Sequence, residues 1–334
     1  MKRLTTLNTM AGLLTAIGLC LSLPTAQAQE KTVIKIGWTT SDGAQDPYAI
    51  GARAFKAAVE RDSKGALEVQ LYPNRQLGDE RQMLEGMRFG TVDGGMITNA
   101  VIAQIEPAFS VNDLPFLYSS EEQAYKALDG ALGAELSKRL AAKGIVMLGY
   151  MEGGFRNMIN NKRPVSVPAD VQGVKYRVMQ NPVFIDMFNN MGGSAVPMAW
   201  GETFTAVQQG TIDGLEIPLA VIEANKYYEV TKFLSLTNHT YSMNGLTMSK
   251  RTLDKLKPEQ RAAVMSAAKS ATAEQRIAAG ADAKKTLSTL EKNGMKINAV
   301  SDVAAFRKSV APVYEKFRQA GNGQLLDMAL AAVK

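Results

Sequence analysis

The sequence predicts an α/β protein of two lobes with a cleft between them, and three observations carry that prediction. Short apolar strands alternate with amphipathic helices through most of the chain. The phrase Gly90-Thr91-Val92-Asp93-Gly94 returns 120 positions later as Gly210-Thr211-Ile212-Asp213-Gly214, each time between an amphipathic stretch and a strand. From Pro258 to Asn293 the chain carries no strong breaker, only Gly280. One helix of that length, kinked at Gly280, measures roughly 54 Å and outspans a lobe.

Taken in order, the chain opens with a basic start (Lys2, Arg3), an apolar run Met10–Leu23, and Pro24 before Ala26-Gln27-Ala28. This pattern predicts a secretory leader over residues 1–28, cleaved after Ala28; an uncleaved anchor is the alternative. Cys20, the only cysteine, leaves with the leader, and Leu19 stands where a lipoprotein signal needs a small residue. The mature chain then has no disulfide, and at about 300 residues it needs none to bury a core. Losing Lys2 and Arg3 lowers the net charge from +6 to about +4. The basic residues are scattered without aromatic interleaving, which argues against nucleic acid.

"TVIKIG" (32–37) reads as a buried strand, followed by a helix stopped at Gly65 and the strand "ALEVQLYP". A helix over 79–90 leads into the first repeat strand. "LPFLY" (114–118), a helix near 120–142 and the strand "GIVMLGY" (144–150) close the first series. A second series runs from "FRNMIN" through strand 173–178, helix 182–191, strand "SAVPM", helix 200–209 and the second repeat strand. The long helix, "MKINAV" and two short helices end the chain. Lobe I is expected to comprise residues 29–152 and about 243–282, lobe II residues 153–242 and about 283–334. In each repeat a turn glycine releases the helix in a left-handed conformation, and the Asp holds the turn that follows.

No enzyme signature is present. His239 is the single histidine, so a histidine metal cluster is excluded; no metal or cofactor is expected. "SAAK" (266–269) has the S-x-x-K spacing but sits mid-helix without companion motifs. Two arginines in apolar surroundings stand out: Arg177 in "GVKYRV" and Arg156 in "EGGFRNM". A guanidinium fork at a strand end can hold a ligand carboxylate by two parallel hydrogen bonds. Equally, each can form a structural salt bridge, with Glu216 and Glu152 as candidate partners.

At these residues the chain resembles a substrate-binding protein of the tripartite ATP-independent periplasmic (TRAP) transporters, DctP type. The likeness spans almost the whole mature chain, through "YPNRQLGDERQMLEGMRFGTVD" (72–93), "LPFLY", "GVKYRV", "PMAWGETFTAVQQGTIDG" (197–214) and "YYEVTKFLSLTNH" (227–239). It implies a periplasmic-binding-protein-like fold, two lobes spanned by a long helix, that closes around an organic acid. It places the carboxylate on Arg177, with Arg156 assisting and Trp200 as a wall. Thr39, Glu80, Thr98 and Asn99 are implied first-lobe contacts, and Glu216, Ile217 and His239 lie on segments leading to the cleft. Many members read D-G-Q-E-N-P at the second repeat strand, with the Asn bonding the acid. Here Ile217 replaces it and cannot donate, so that contact falls to water or Gln180.

The resulting expectation is a monomeric periplasmic receptor for a sugar acid or dicarboxylate that docks on TRAP permease subunits. The alternatives are a secreted enzyme using Glu80, Glu216 or His239 as acid or base, and a sensor presenting the same ligand to a membrane kinase.

Overall fold

The computed structural model describes residues 31–280 and 283–334. The expected leader, Cys20 and the cleavage site after Ala28 lie outside the described residues. Among the described residues nine strands form one mixed sheet: β1 (Thr32–Gly37), β2 (Leu67–Tyr72), β3 (Gly94–Thr98), β4 (Ile145–Asn160), β5 (Lys175–Val178), β6 (Ser194–Pro197), β7 (Gly214–Pro218), β8 (Phe233–Ser249) and β9 (Lys296–Ala299). The order is β2-β1-β3-β8-β4-β7-β5-β6, with β9 added parallel to β8.

That order is palindromic in kind. Three parallel strands, β2-β1-β3, meet the antiparallel β8 on one side. On the other, β6-β5-β7 meet the antiparallel β4. The repeated phrase occupies the same corner in both sets. Gly90 (φ 79°) and Gly210 (φ 72°) end the helices Glu80–Phe89 and Trp200–Gln208 in the left-handed region. Asp93 Oδ2 accepts from Lys35 N at 3.0 Å, and Asp213 Oδ2 accepts from Lys175 N at 2.9 Å. Each Asp therefore ties its corner to the neighbouring parallel strand, β1 or β5. The second glycine admits a close backbone: a Cβ at Gly94 would lie 2.7 Å from Thr247 O, and one at Gly214 would lie 2.1 Å from Ile159 O.

Three expectations change. "GIVMLGY" and "FRNMIN" are one strand, the 16-residue β4, and the 17-residue β8 pairs with it along both halves. Irregularities at Met147/Gly149, Glu152/Gly154 and Arg156/Met158 interrupt their register, with Gly154 at φ 97°. Bulges of this kind bend and twist a long strand. "LPFLY" adds no strand; it is a loop held by Phe116 N donating to His239 O at 2.7 Å. The helix expected near 120–142 breaks at Gly130 into Glu121–Asp129 and Ala131–Ala142.

The long helical segment is helical over Pro258–Gly280 and Ala283–Lys292; the kink expected at Gly280 borders residues 281–282, which lie outside the described residues. Its first part buries Ala263, Ala267, Ala268 and Ala271 against the helix Pro47–Asp62. Small faces on both sides let the two backbones approach, which is why this stretch is alanine-rich instead of leucine-rich. The tail, expected with the second lobe, reaches the first series as well: Tyr314 donates to Pro115 O at 2.9 Å and Gln123 to Val333 O at 3.1 Å.

Candidate functional site

Strands β3 and β7, one from each parallel set, deliver their carboxyl ends to a shared interior cavity of about 30 Å³. Carboxyl ends of parallel strands are the usual ligand edge of open α/β sheets. Thr98 ends β3 on one wall; Ile217 and Pro218 end β7 on the other. Arg177, Met179 and Trp200 come from the second series, and Thr39, Tyr48 and Glu80 from the first.

The two arginines differ sharply. Arg156, 3% exposed, is committed to the protein: Nε and Nη2 both donate to the Glu216 carboxylate, and Nη2 also meets Glu216 O at 2.6 Å. Its Nη1 reaches Ser242 Oγ at 3.3 Å. Glu216 is fully buried, and His239 Nε2 lies 3.3 Å from its Oε2. Burial alone would raise the Glu216 carboxyl, but the Arg156 guanidinium and the His239 contact bring it below its ordinary value. Burial holds His239 below its ordinary value, so the ring is neutral near pH 7.

Arg177 is 2% exposed and has no carboxylate partner among the described residues. Its Nε donates to Met198 O at 2.9 Å and its Nη1 to the Met179 sulfur at 3.3 Å. Burial lowers its pKa, opposed mainly by Glu216 at a distance, yet an arginine remains charged under such conditions. A buried cation with weak neutral partners is costly, and an anion supplied from outside removes that cost.

Opposite stands a chain of acceptors and hydroxyls. Glu80 Oε1 accepts from Thr98 N at 2.7 Å and from Thr98 Oγ1 at 2.8 Å. Because the Thr98 hydroxyl proton is used there, Tyr48 Oη, 2.5 Å away, donates to Thr98 Oγ1. Among the described residues, both hydrogen bonds to Glu80 fall on Oε1 and none on Oε2. Burial raises the Glu80 carboxyl, while the Thr98 donors and the Arg177 charge oppose it. Trp200 packs against Tyr227 with ring centroids 5.4 Å apart and gives the cavity an apolar side.

Of the residues expected from the sequence, Arg177, Arg156, Trp200, Ile217, Thr39, Glu80 and Thr98 line this cavity. Four lie off its wall. Asn99 follows the end of β3 and turns into an amide network, donating to Phe109 O at 2.9 Å. Glu216 and His239 are sealed behind Arg156. Gln180 is exposed, with its carbonyl accepting from Gln104 at 3.1 Å, so its side chain is not placed to replace the missing Asn contact. Glu152 is not a partner of Arg156; it accepts from Tyr125 and Tyr241 at 2.6 and 2.8 Å. Tyr48, Thr40, Met179, Pro218 and Val221 line the cavity without having been expected. Tyr48 had a signal, since Asp46-Pro47 marks a helix start and puts Tyr48 in its first turn.

Comparison with known proteins decides the family. The profile of the bacterial extracellular solute-binding proteins, family 7 (DctP), matches residues 39–320. The chain belongs to this family. It is 34% identical over 273 residues to the 2,3-diketo-L-gulonate-binding periplasmic protein YiaO of Escherichia coli K12, covering 82% of this chain and 83% of that one. A TRAP periplasmic solute-binding protein from Polaromonas sp. JS666, solved bound to D-erythronate, superposes with a TM-score of 0.86 at 37% identity, covering 90% of this chain and 99% of that one. The sugar-acid-binding protein of Advenella mimigardefordensis DPN7T, solved with galactonate, gives 0.88 at 33% identity, covering 91% and 98%. The TRAP solute-binding family is periplasmic and two-lobed, and among the described residues no helix is long and apolar enough to cross a membrane.

Proposed function

We propose that this TRAP solute receptor holds a monocarboxylic hydroxy acid, of the sugar-acid kind, with its carboxylate on Arg177 and its hydroxyls on the Tyr48–Thr98–Glu80 side. One observation carries the assignment: Arg177 is buried, charged and unmatched by any acid among the described residues, whereas Arg156 beside it is fully matched. Glu80 supports a hydroxy acid over a dicarboxylate. Its Oε2, with no hydrogen bond among the described residues, accepts from a hydroxyl, and the carboxyl offers a second carboxylate no cation in the same small cavity. The relatives bound to D-erythronate and galactonate carry that chemistry. Closure of the two lobes removes water from around the ion pair and strengthens it, so capture and closure are one equilibrium.

The closed receptor then docks, as a monomer, on TRAP permease subunits and hands over its cargo unchanged. This reading assigns no catalytic step: Glu216 and His239 are sealed away from the cavity. The leader ending at Ala28 delivers the chain to the periplasm and is removed there. The lobes are divided as the sequence suggests, near residue 152 in β4 and residue 243 in β8. A thermal-shift panel of aldonates, uronates and short dicarboxylates tests the assignment, because a ligand bound to the native state raises Tm. Aldonates should give the largest shifts; a panel in which only dicarboxylates stabilise the protein would overturn it.

A further inference from the structure

Next to the cavity, but off its wall, a buried polar cluster joins the two series. Asn181 caps the helix Pro182–Asn190, its side-chain oxygen accepting from Val183 N at 2.8 Å. Its Nδ2 reaches the other way, to Asp113 Oδ2 at 2.9 Å, and lies 3.5 Å from both Ala100 O and Ser110 Oγ. Asn181 stands two residues beyond Met179, whose sulfur meets Arg177. Beside it, Gln104 donates to Gln180 O at 3.1 Å. The corner Met179–Asn181, which helps seat the ligand-binding guanidinium, is thus held by groups of the first series. Asp113 ends a 3-10 helix, Pro107–Asp113, and is 2% exposed with only amide partners and no ion pair among the described residues.

We propose that Asp113 and Asn181 form a clasp across the cleft, with Asp113 a positioning residue whose protonation accompanies ligand capture. The inference rests on the solute-capture reading above. When the lobes part, Asn181 leaves and water reaches Asp113; when they close, the carboxyl is dry and faces only neutral donors.

The charged and titratable groups around Asp113 do not offset its burial. Arg156 from β4 and Glu216 from β7 act on it with opposite signs. On β8, His239 is neutral and Tyr241 is pushed well above its ordinary value. Tyr118 is likewise protonated. Asp186, on the helix that Asn181 caps, pairs at the surface with Lys316. Asp327, on the C-terminal helix Gly323–Ala332, pairs with Arg318. Burial accordingly raises Asp113 from 3.8 to about 8 with Asn181 seated against it.

The sign follows from linkage. Below the ordinary value both forms are protonated, and above about 8 both are ionised. Between those limits the open form is ionised and the closed form is protonated, so closure takes up one proton. Affinity therefore falls as pH rises, by up to about tenfold per pH unit, until it levels off above the closed-form value. Asp46, raised to about 6 and bonded by Asn225 Nδ2 at 3.2 Å, and Glu152, raised to about 7, add slopes of their own at lower pH. Near pH 7.5 Asp113 is the main contributor.

The test is calorimetric titration of the intact receptor with D-galactonate and D-erythronate from pH 5.5 to 9, in buffers of different ionisation enthalpy. Asp113 should make the wild type take up about three-quarters of a proton near pH 7.5 and lose about eightfold in affinity from pH 6.5 to 7.5. Asp113→Asn, a neutral isostere, should lose that uptake and bind more tightly than wild type at pH 8.5. Asn181→Asp keeps the helix cap but sets a second carboxyl against the first, and should steepen the dependence. Should Asp113→Asn fail to fold, the wild-type proton count and the Asn181→Asp slope decide. Binding with no proton uptake, or an unchanged pH profile in Asp113→Asn, overturns the clasp while leaving the capture reading intact. If no acid of the panel binds at any pH, the capture reading falls and the clasp falls with it.

Discussion

Arg156 and Arg177 are buried to nearly the same degree, line the same cavity and stand on strands either side of β7, yet they have opposite circumstances. Arg156 lies on β4 beside β7, which places Glu216 within reach of its fork, and it satisfies that fork on the side chain and carbonyl of one residue. Arg177 lies on β5 on the far side of β7, where its fork finds a carbonyl and a sulfur. The first arginine is bound into the scaffold. The second is a buried charge with no acid partner among the described residues, and the proposed function gives it to the ligand. Burial alone would not have told them apart; the partner does.

The largest effect expected from this comparison is on binding. Arg177→Ala should cost about 2–5 kcal/mol of affinity, and Arg177→Lys should recover little because a point charge cannot reproduce the fork. Tm without ligand should hold or rise in Arg177→Ala, since the change removes a buried charge that has no acid partner among the described residues. Calorimetry together with thermal unfolding separates the two effects. At Arg156 the pattern should reverse. Arg156→Ala or Glu216→Gln leaves one buried charge without its partner and should cost about 3–5 kcal/mol of folding stability by urea denaturation. A mutant of Arg156 with unchanged stability and abolished binding would dissolve the distinction.

A smaller effect is expected on selectivity. Glu80→Gln replaces the carboxyl that faces the cavity with an amide, so hydroxy-acid affinity should fall about tenfold and dicarboxylates, which meet an amide donor there, should gain on them. Competition between galactonate and succinate in the two proteins measures it. The smallest effect belongs to the repeated corners. Asp93→Ala and Asp213→Ala each release one strand N–H and should each destabilise by about 1 kcal/mol. Unequal costs would show that the two corners carry different loads despite their matching geometry.

The corners were the most legible part of the fold, because Gly-Thr-(Val/Ile)-Asp-Gly encodes local needs: a left-handed residue, a carboxylate for the next strand, and no Cβ against a backbone. Likewise "GVKYRV" marked Arg177, an arginine in an apolar strand. What the sequence withheld was long-range pairing. The central β4–β8 pair joins segments about ninety residues apart, and its glycine-interrupted first half reads locally as a strand, a turn and a new strand. Arg156 could equally have faced Glu152 or Glu216 until register chose the latter. Asn99 sits beside a true wall residue, but the strand ends at Thr98 and the next step turns its amide inward. Met179, Pro218 and Val221 carry no polar signal and become wall residues by position alone.

The central claim is that the guanidinium of Arg177, which has no acid partner among the described residues, grips the solute. A crystal structure with bound D-galactonate tests it most directly. The account predicts both carboxylate oxygens within about 3 Å of the Arg177 guanidinium nitrogens, with ligand hydroxyls towards Glu80 and Thr98. A carboxylate bound instead to Arg156, with Glu216 displaced, or lying against the Tyr48–Thr98 wall, would contradict it.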